Sequence, residues 1–259
     1  MLGRFFGRRT GGNWRPAEQE LRFAASAGFD TLQIRSDHAG EIEDELGIDA
    51  LTLGTLFDDI GLEPVLEMLV RHDGERGTLA RALRANLAAI DAIGVLRVHI
   101  HPVGRSEAAP VLHDDFAEAL EVAEEAGLIF GCEHNAPGHR LLVEPDDVEA
   151  LLDAVPGLGF VWDLNHTRPE HTARFLALRE RFMLVHVSDT PLPETNHHLP
   201  LGRGIVDFNV VKDVDVPLIL EVGGLPISGG PGFDTDEVLL DSLARLRAFE
   251  PGSQFEPGS

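Results

Sequence analysis

Four short phrases of the chain end an apolar run in a carboxylate or imidazole: Gly131-Cys132-Glu133-His134-Asn135, Trp162-Asp163-Leu164-Asn165-His166, Val185-His186-Val187-Ser188-Asp189 and Leu220-Glu221-Val222. They recur about every 25 to 35 residues with helix-like sequence between them, the length of one strand-helix step in a parallel sheet. If the runs are neighbouring strands of one parallel barrel, Glu133, Asp163, His186 and Glu221 converge at the strand ends, where barrel enzymes place their catalytic groups. Two Glu, one Asp and one His at one point form a donor set for a divalent metal ion. Carboxylate-rich ligation favours Mn²⁺ or Mg²⁺, with Co²⁺ and Zn²⁺ as alternatives. Any one of these groups could be a structural carboxylate or imidazole held by its neighbours, because burying a charge unpaired is costly. Four on successive strands point instead to a shared ion.

Other side chains could complete such a site. His166 follows Asp163 by three residues, within reach of a substrate or second metal; its alternative role is to cap the next helix. His101 ends Val98-His99-Ile100-His101, and strand alternation turns His99 and His101 to the same side. We assign His101 to the site and His99 to packing. The loop phrase His197-His198-Leu199-Pro200-Leu201-Gly202-Arg203-Gly204 combines two imidazoles with an Arg between glycines. It suits polar or anionic groups, since Arg makes forked hydrogen bonds with oxyanions. Cys132, the single cysteine, reads as a small core residue.

The elements that must position these groups follow from punctuation. A helical pattern, a glycine and then a hydrophobic strand recur at Gly28, Gly61, Gly94, Gly127 and Gly157, at intervals of 33 residues and finally 30. Glycine just past a helix end accepts the left-handed backbone that closes the helix. The spacing predicts strands over Leu2–Phe6, Thr31–Arg35, Pro64–Val70, Leu96–His101, Leu128–Glu133, Gly159–Asp163, Met183–Ser188 and Leu218–Val222. It predicts helices over Pro16–Ala27, Leu79–Ile93, Asp114–Ala126, Asp146–Ala154, Ala173–Phe182 and Asp236–Ala248. A solenoid shares such a period, but long, β-branched strands favour closure. The expected fold is therefore α/β, a single (β/α)8 TIM barrel over residues 1–250, with residues 251–259 as a disordered tail. Gly104–Pro110 and Thr190–Val206 read as irregular loops, the second long enough for a lid or binding loop.

Composition removes several function classes. No apolar stretch approaches the roughly 20 residues of a membrane span. The basic start, Met1 to Arg9, lacks an apolar core followed by a cleavage site, so a cytoplasmic protein is expected. With 44 Asp and Glu against 21 Lys and Arg, the net charge of −23 repels phosphate backbones and disfavours a nucleic-acid partner, weakly so where salt screens it. Lys212 is the only lysine. This pairing of excess acid with almost no lysine fits the surface of a protein from a salt-loaded cytoplasm; a GC-rich genome would also favour Arg over Lys. No phosphate-cradling GxxxxGK[ST], no dinucleotide GxGxxG after a strand and no GxSxG elbow occurs. A Schiff base on Lys212, in a polar Val-Lys-Asp-Val stretch, is disfavoured.

At the residues above, the chain resembles the xylose-isomerase-like barrels, a group that includes sugar isomerases, ketose 3-epimerases, inosose dehydratases and apurinic-site endonucleases. The resemblance runs from Pro16 to Arg247 and sharpens from Glu133 onward. It rests on Glu133, the D-x-x-H phrase Asp163 to His166, the H-x-x-D phrase His186 to Asp189, the loop phrase His198 to Gly204 and Glu221. It implies that Glu133, Asp163, His186 and Glu221 bind a divalent metal and that the substrate is a small sugar, sugar phosphate or polyol. On that reading Glu133 and Glu221 form an acid/base pair around a metal-stabilised enediolate, and His166 and Arg203 hold hydroxyls or a phosphate. His101 and His198 complete the substrate-binding candidates. A homo-oligomer and a monomer are both compatible with the sequence. The chain departs from the epimerases where they carry an Arg after the H-x-x-D phrase, having Pro191-Leu192-Pro193. It departs from the trinuclear endonucleases at Asn196, where they place Asp, and their early His ligand has no clear counterpart, His38 and His72 being only candidates, so one metal rather than three is the simpler reading. The implied activity is a metal-dependent isomerase or epimerase; an endonuclease-like phosphodiesterase and a non-catalytic metal-binding barrel are the alternatives.

Overall fold

The computed structural model describes residues 1–5, 15–36, 38–105, 109–191, 196–223 and 235–248. Eight parallel strands close into a barrel in chain order: β1 (Leu2–Phe5), β2 (Thr31–Ser36), β3 (Glu63–His72), β4 (Arg97–Gly104), β5 (Ile129–Glu133), β6 (Gly159–Asp163), β7 (Phe182–Val187) and β8 (Leu218–Leu220). The TIM-barrel expectation holds. Among the described residues eight α-helices surround it: α1 (Ala17–Ala27), α2 (Glu41–Leu46), α3 (Ala50–Ile60), α4 (Thr78–Ile93), α5 (Ala109–Glu125), α6 (Pro145–Ala154), α7 (Thr172–Ala177) and α8 (Asp236–Arg247). The proposed tail at 251–259, and Phe6 at the end of the first predicted strand, lie outside the described residues.

The glycine punctuation is physical. Gly94 takes φ +78° and its N–H returns to the carbonyls of Asp91 and Ile90, ending α4 just before β4. The helix pair α2 and α3 was not assigned from sequence, because Thr52, Gly54 and Thr55 weaken the helical signal of α3. Asp49 supplies the missing start by accepting from the Thr52 N–H at 2.9 Å. Gly54 then lets α3 press on α4, where any Cβ would collide with the Ala92 carbonyl. The predicted helix at Ala173–Phe182 is shorter: α7 stops at Ala177, a 3-10 turn covers Arg179–Arg181, and Phe182 already belongs to β7. The predicted loop at Gly104–Pro110 is also shorter, since β4 runs through Gly104 and α5 begins at Ala109.

Two apolar layers hold the barrel. The larger fills the space between strands and helices, with Leu21, Phe57, Leu83, Phe116, Phe160 and Phe175 buried in it. The smaller plugs the interior and consists of Val65, Val161, Met183, Leu184 and Ile219. Gly131 makes room for this plug, because a Cβ there would strike Met183 Sδ and the Gly159 carbonyl. Above the plug the inward side chains turn polar. Register places Glu67 beside His99 and Gly131 across β3, β4 and β5, and Asp163 beside His186 and Ile219 across β6, β7 and β8.

Candidate metal and substrate site

Glu133 is the centre of the polar tier. Its Oε1 lies 3.5, 3.6 and 3.4 Å from Nδ1 of His101, His166 and His186, and its Oε2 lies 3.3 Å from His99 Nε2. Asp163 Oδ2 is 3.1 Å from His166 Nδ1. Glu221 sits one residue past β8, its N–H held by the Val187 carbonyl, and its Oε2 is 3.4 Å from His186 Nδ1. The four expected metal ligands therefore meet. Donor atoms of Asp163, His186 and Glu221 lie within 4.8 Å of one another; Glu133 shares such a group with Asp163 and His166, and another with His99 and His186.

The donors are poorly satisfied by protein. Glu133 Oε2, Asp163 Oδ2, His186 Nδ1, Glu221 Oε2 and both ring nitrogens of His99 are buried without a hydrogen bond. Among the described residues, the ion-pair partners of Glu133, Asp163 and Glu221 are all imidazoles. Buried polar atoms normally find partners, so clustered exceptions fit a site that binds a ligand. Three carboxylates and an imidazole fit a divalent cation.

Charge is unevenly shared. Burial and the carboxylates Asp163, Glu67 and Glu133 push Glu221 well above the usual carboxyl range, although His186 pulls it down. Burial works on Glu133 in the same direction, but His101, His186 and His99 overcome it and hold this carboxyl well below the usual range. For His186, burial would lower the pKa; the charges of Glu133 and Glu221 outweigh it and raise it to about 10. His166 and His198 go the other way, dominated by burial, to about 4. A cation at this point would reverse several of these balances.

Of the remaining candidates, His101 and His198 border this cluster. His101 Nε2 is 2.7 Å from Asn135 Oδ1, and its Nδ1 is 3.5 Å from Glu67 Oε1. His198 takes φ +48°, with Nδ1 3.2 Å from the Glu221 carbonyl and Nε2 2.7 Å from Asn196 Oδ1. Its ring stands edge-on to His166 at 6.1 Å. Arg203 is exposed on the same loop. His99, read as a packed histidine, is buried but also touches Glu133, since alternation sends it inward with His101. His72 is not placed at this site: its Nε2 meets Asp115 Oδ2 at 2.8 Å and its Nδ1 accepts from Gly74 N–H. His38 is exposed near Glu41. Sequence reasoning missed Glu67 and Gln33: Glu67 is a lone polar residue inside the apolar run Pro64–Val70, a signal that was available, whereas Gln33 alternates with Thr31 and Arg35 in β2 and does not stand out.

Asp189 explains the long loop after β7. Its Oδ2 accepts from the N–H groups of Gly202 and Gly204 at 2.8 and 2.7 Å, and its Oδ1 from Thr190 and Val206 at 2.9 and 3.1 Å. Asn165 fastens the same loop by accepting from the His197 N–H at 3.0 Å. These bonds set His198 over Glu221.

Solved structures of the same shape are numerous. D-allulose 3-epimerase from Methylomonas sp. superposes with a TM-score of 0.76 at 16% identity, covering 96% of this chain and 97% of that one. D-psicose 3-epimerase from Clostridium cellulolyticum H10, solved with D-tagatose, gives 0.76 at 12% identity, covering 96% and 99%. The IOLI protein with a binding zinc atom gives 0.74 at 15% identity, covering 95% and 96%. No curated protein sequence matches the chain. The family model described as the xylose isomerase-like TIM barrel matches residues 21–225, and the chain belongs to that family.

Proposed function

We propose that the protein is a divalent-metal-dependent isomerase or epimerase of a small sugar, sugar phosphate or polyol. One observation carries the reading: Glu133, Asp163, His186 and Glu221 converge with unpartnered buried donor atoms. The likeness in shape to ketose 3-epimerases supports the same class. Glu133, Asp163, His186 and Glu221 would hold the ion, with Mn²⁺ or Mg²⁺ favoured by the carboxylates. When bound, the ion supplies Lewis acidity that polarises a carbonyl and makes the neighbouring C–H acidic.

The protein's own groups do the rest. Glu133 and Glu221 form the acid/base pair, one taking the proton from the carbon beside the carbonyl and the other returning one. His166, kept neutral by burial and with Nδ1 turned to the His134 carbonyl, offers Nε2 to a sugar hydroxyl, and the His198 ring stands beside it. His101 and Arg203 extend the binding surface. Asp189 and Asn165 hold the loop that covers this face, which limits water at the reacting carbon.

The test is turnover in heavy water with ketoses and inososes, free and phosphorylated, followed by NMR. Deuterium is expected on the carbon beside the carbonyl, dependent on added Mn²⁺ or Mg²⁺ and lost in Glu133→Gln, whose amide cannot take a proton. A duplex with one abasic site runs in parallel. Metal-dependent strand cleavage without sugar exchange would replace this reading with phosphodiester hydrolysis, and metal binding with silence in both assays would leave a non-catalytic barrel.

A further inference from the structure

Gln33 on β2 is fully buried and spans two groups of the site from opposite directions. Its Nε2 donates to Glu67 Oε2 at 3.2 Å, and its Oε1 lies 2.9 Å from His186 Nε2. The second bond crosses the barrel interior from β2 to β7, so it is not a product of strand pairing.

The chemistry of the three groups leaves little choice of proton positions. An ionised carboxylate only accepts, so the amide must turn its NH₂ toward Glu67. Its carbonyl oxygen then faces His186, and a carbonyl can only accept. Nε2 of His186 must therefore carry a proton. The other ring nitrogen, Nδ1, points at Glu133 Oε1 and Glu221 Oε2, 3.4 Å from each. Nδ1 is also the nitrogen without a hydrogen bond. This fixes which nitrogen can give up its proton to a cation, without depending on how the amide atoms were assigned.

We propose that Gln33, oriented by Glu67, is a positioning residue that keeps the His186 proton on Nε2 and presents Nδ1 to a cation held with Glu133, Asp163 and Glu221. The inference rests on the metal-site reading above. Partners that orient a ligating imidazole commonly change metal affinity about 10- to 100-fold when removed. Gln33→Met removes donor and acceptor together at similar length. Glu67→Gln leaves Gln33 in place but frees its amide to turn over, so it disturbs the proton without touching His186.

The experiment follows histidine ¹⁵N resonances in the metal-free protein and during titration with Cd²⁺, a diamagnetic probe, with Mn²⁺ affinity measured by calorimetry. In the wild type, His186 Nε2 is expected to hold a slowly exchanging proton throughout, while Cd²⁺ shifts Nδ1. In Gln33→Met that proton should exchange with water at least about tenfold faster, and Mn²⁺ should bind about 10- to 100-fold more weakly. Glu67→Gln should move both readings the same way. A wild-type His186 with a bare Nε2, or a folded Gln33→Met protein with unchanged proton protection and Mn²⁺ affinity, overturns the proposal. If the wild type takes up neither ion, the metal-site reading fails by itself, and the position of the Nε2 proton still decides the role of Gln33.

Discussion

Two sets of buried carboxylates occupy the same end of this barrel, and they are treated in opposite ways. Asp189 receives four backbone N–H groups, two on each oxygen. Asp115 is similarly served by Gly77 and Thr78 at the start of α4 and by His72. Glu133, Asp163 and Glu221 each keep a buried oxygen with no hydrogen bond and only imidazoles for ion pairs. The first set has all its valences turned inward to hold loops and helix ends. The second leaves oxygens unfilled beside the clustered imidazoles of His99, His166 and His186. Burial alone does not separate a structural carboxylate from a ligand; the direction of its unfilled lone pairs does.

The largest effect that would break this comparison is on metal uptake. His186→Ala and Glu221→Gln should each abolish stoichiometric Mn²⁺ binding, whereas His197→Ala should leave it intact. Elemental analysis of the purified variants decides it, and full occupancy in both ligand variants would end the assignment. The structural set should respond in the other currency. Asp189→Ala leaves several backbone N–H groups without an acceptor, each costing ~1–3 kcal/mol if buried. A net loss of about 3 kcal/mol, or roughly 6–12 °C in Tm for a domain of this size, is expected. A variant as stable as the wild type would mean that the loop after β7 does not depend on Asp189.

A milder prediction concerns the solvated carboxylates. If the acidic surface is adapted to salt, self-repulsion among unscreened charges should lower stability when ionic strength falls. Thermal unfolding in dilute buffer and in molar KCl reads this directly. A midpoint that does not rise with KCl returns the surface to that of an ordinary acidic protein. The ionic-strength effect should leave Asp189→Ala as destabilised relative to the wild type as before, since its contacts are buried.

The convergence of the candidate ligands was legible because each strand announces its own end: an apolar run followed by one group that water or a cation must satisfy. The period of the glycines set the order of the strands, and closure of the barrel then brought the ends together. The same logic failed inside the runs. Glu67 and Gln33 interrupt β3 and β2 rather than ending them, and their meeting with His186 depends on contacts across the barrel that no local pattern encodes. The role of His72 was hidden in the same way, because its partner Asp115 lies on another element, 43 residues away. Helix α3 was hidden for a third reason, since its weak residues are compensated by the Asp49 cap and by the close approach of Gly54 to α4.

The smallest effect is also the one whose sign separates the two sets. Glu221 holds its proton more tightly in the folded protein than an ordinary carboxyl, chiefly because burial and the neighbouring carboxylates penalise its charge. A carboxyl raised in this way binds more protons in the folded state, so the metal-free fold loses stability as pH rises from the unfolded value of about 4.3 through the folded one. Glu221→Gln removes that loss. In the absence of metal at neutral pH the variant should therefore be more stable than the wild type, by about 1 kcal/mol or ~2–4 °C. The advantage should shrink as pH falls toward about 4, where the wild-type carboxyl is protonated in both states. Added Mn²⁺ should reverse the order, because a ligand bound only by the folded wild type stabilises it by mass action while the variant gains nothing. Asp189→Ala, by contrast, should be less stable than the wild type with or without metal. A Glu221→Gln protein that melts below the wild type in metal-free buffer would place Glu221 with Asp189 and Asp115 among the structural carboxylates.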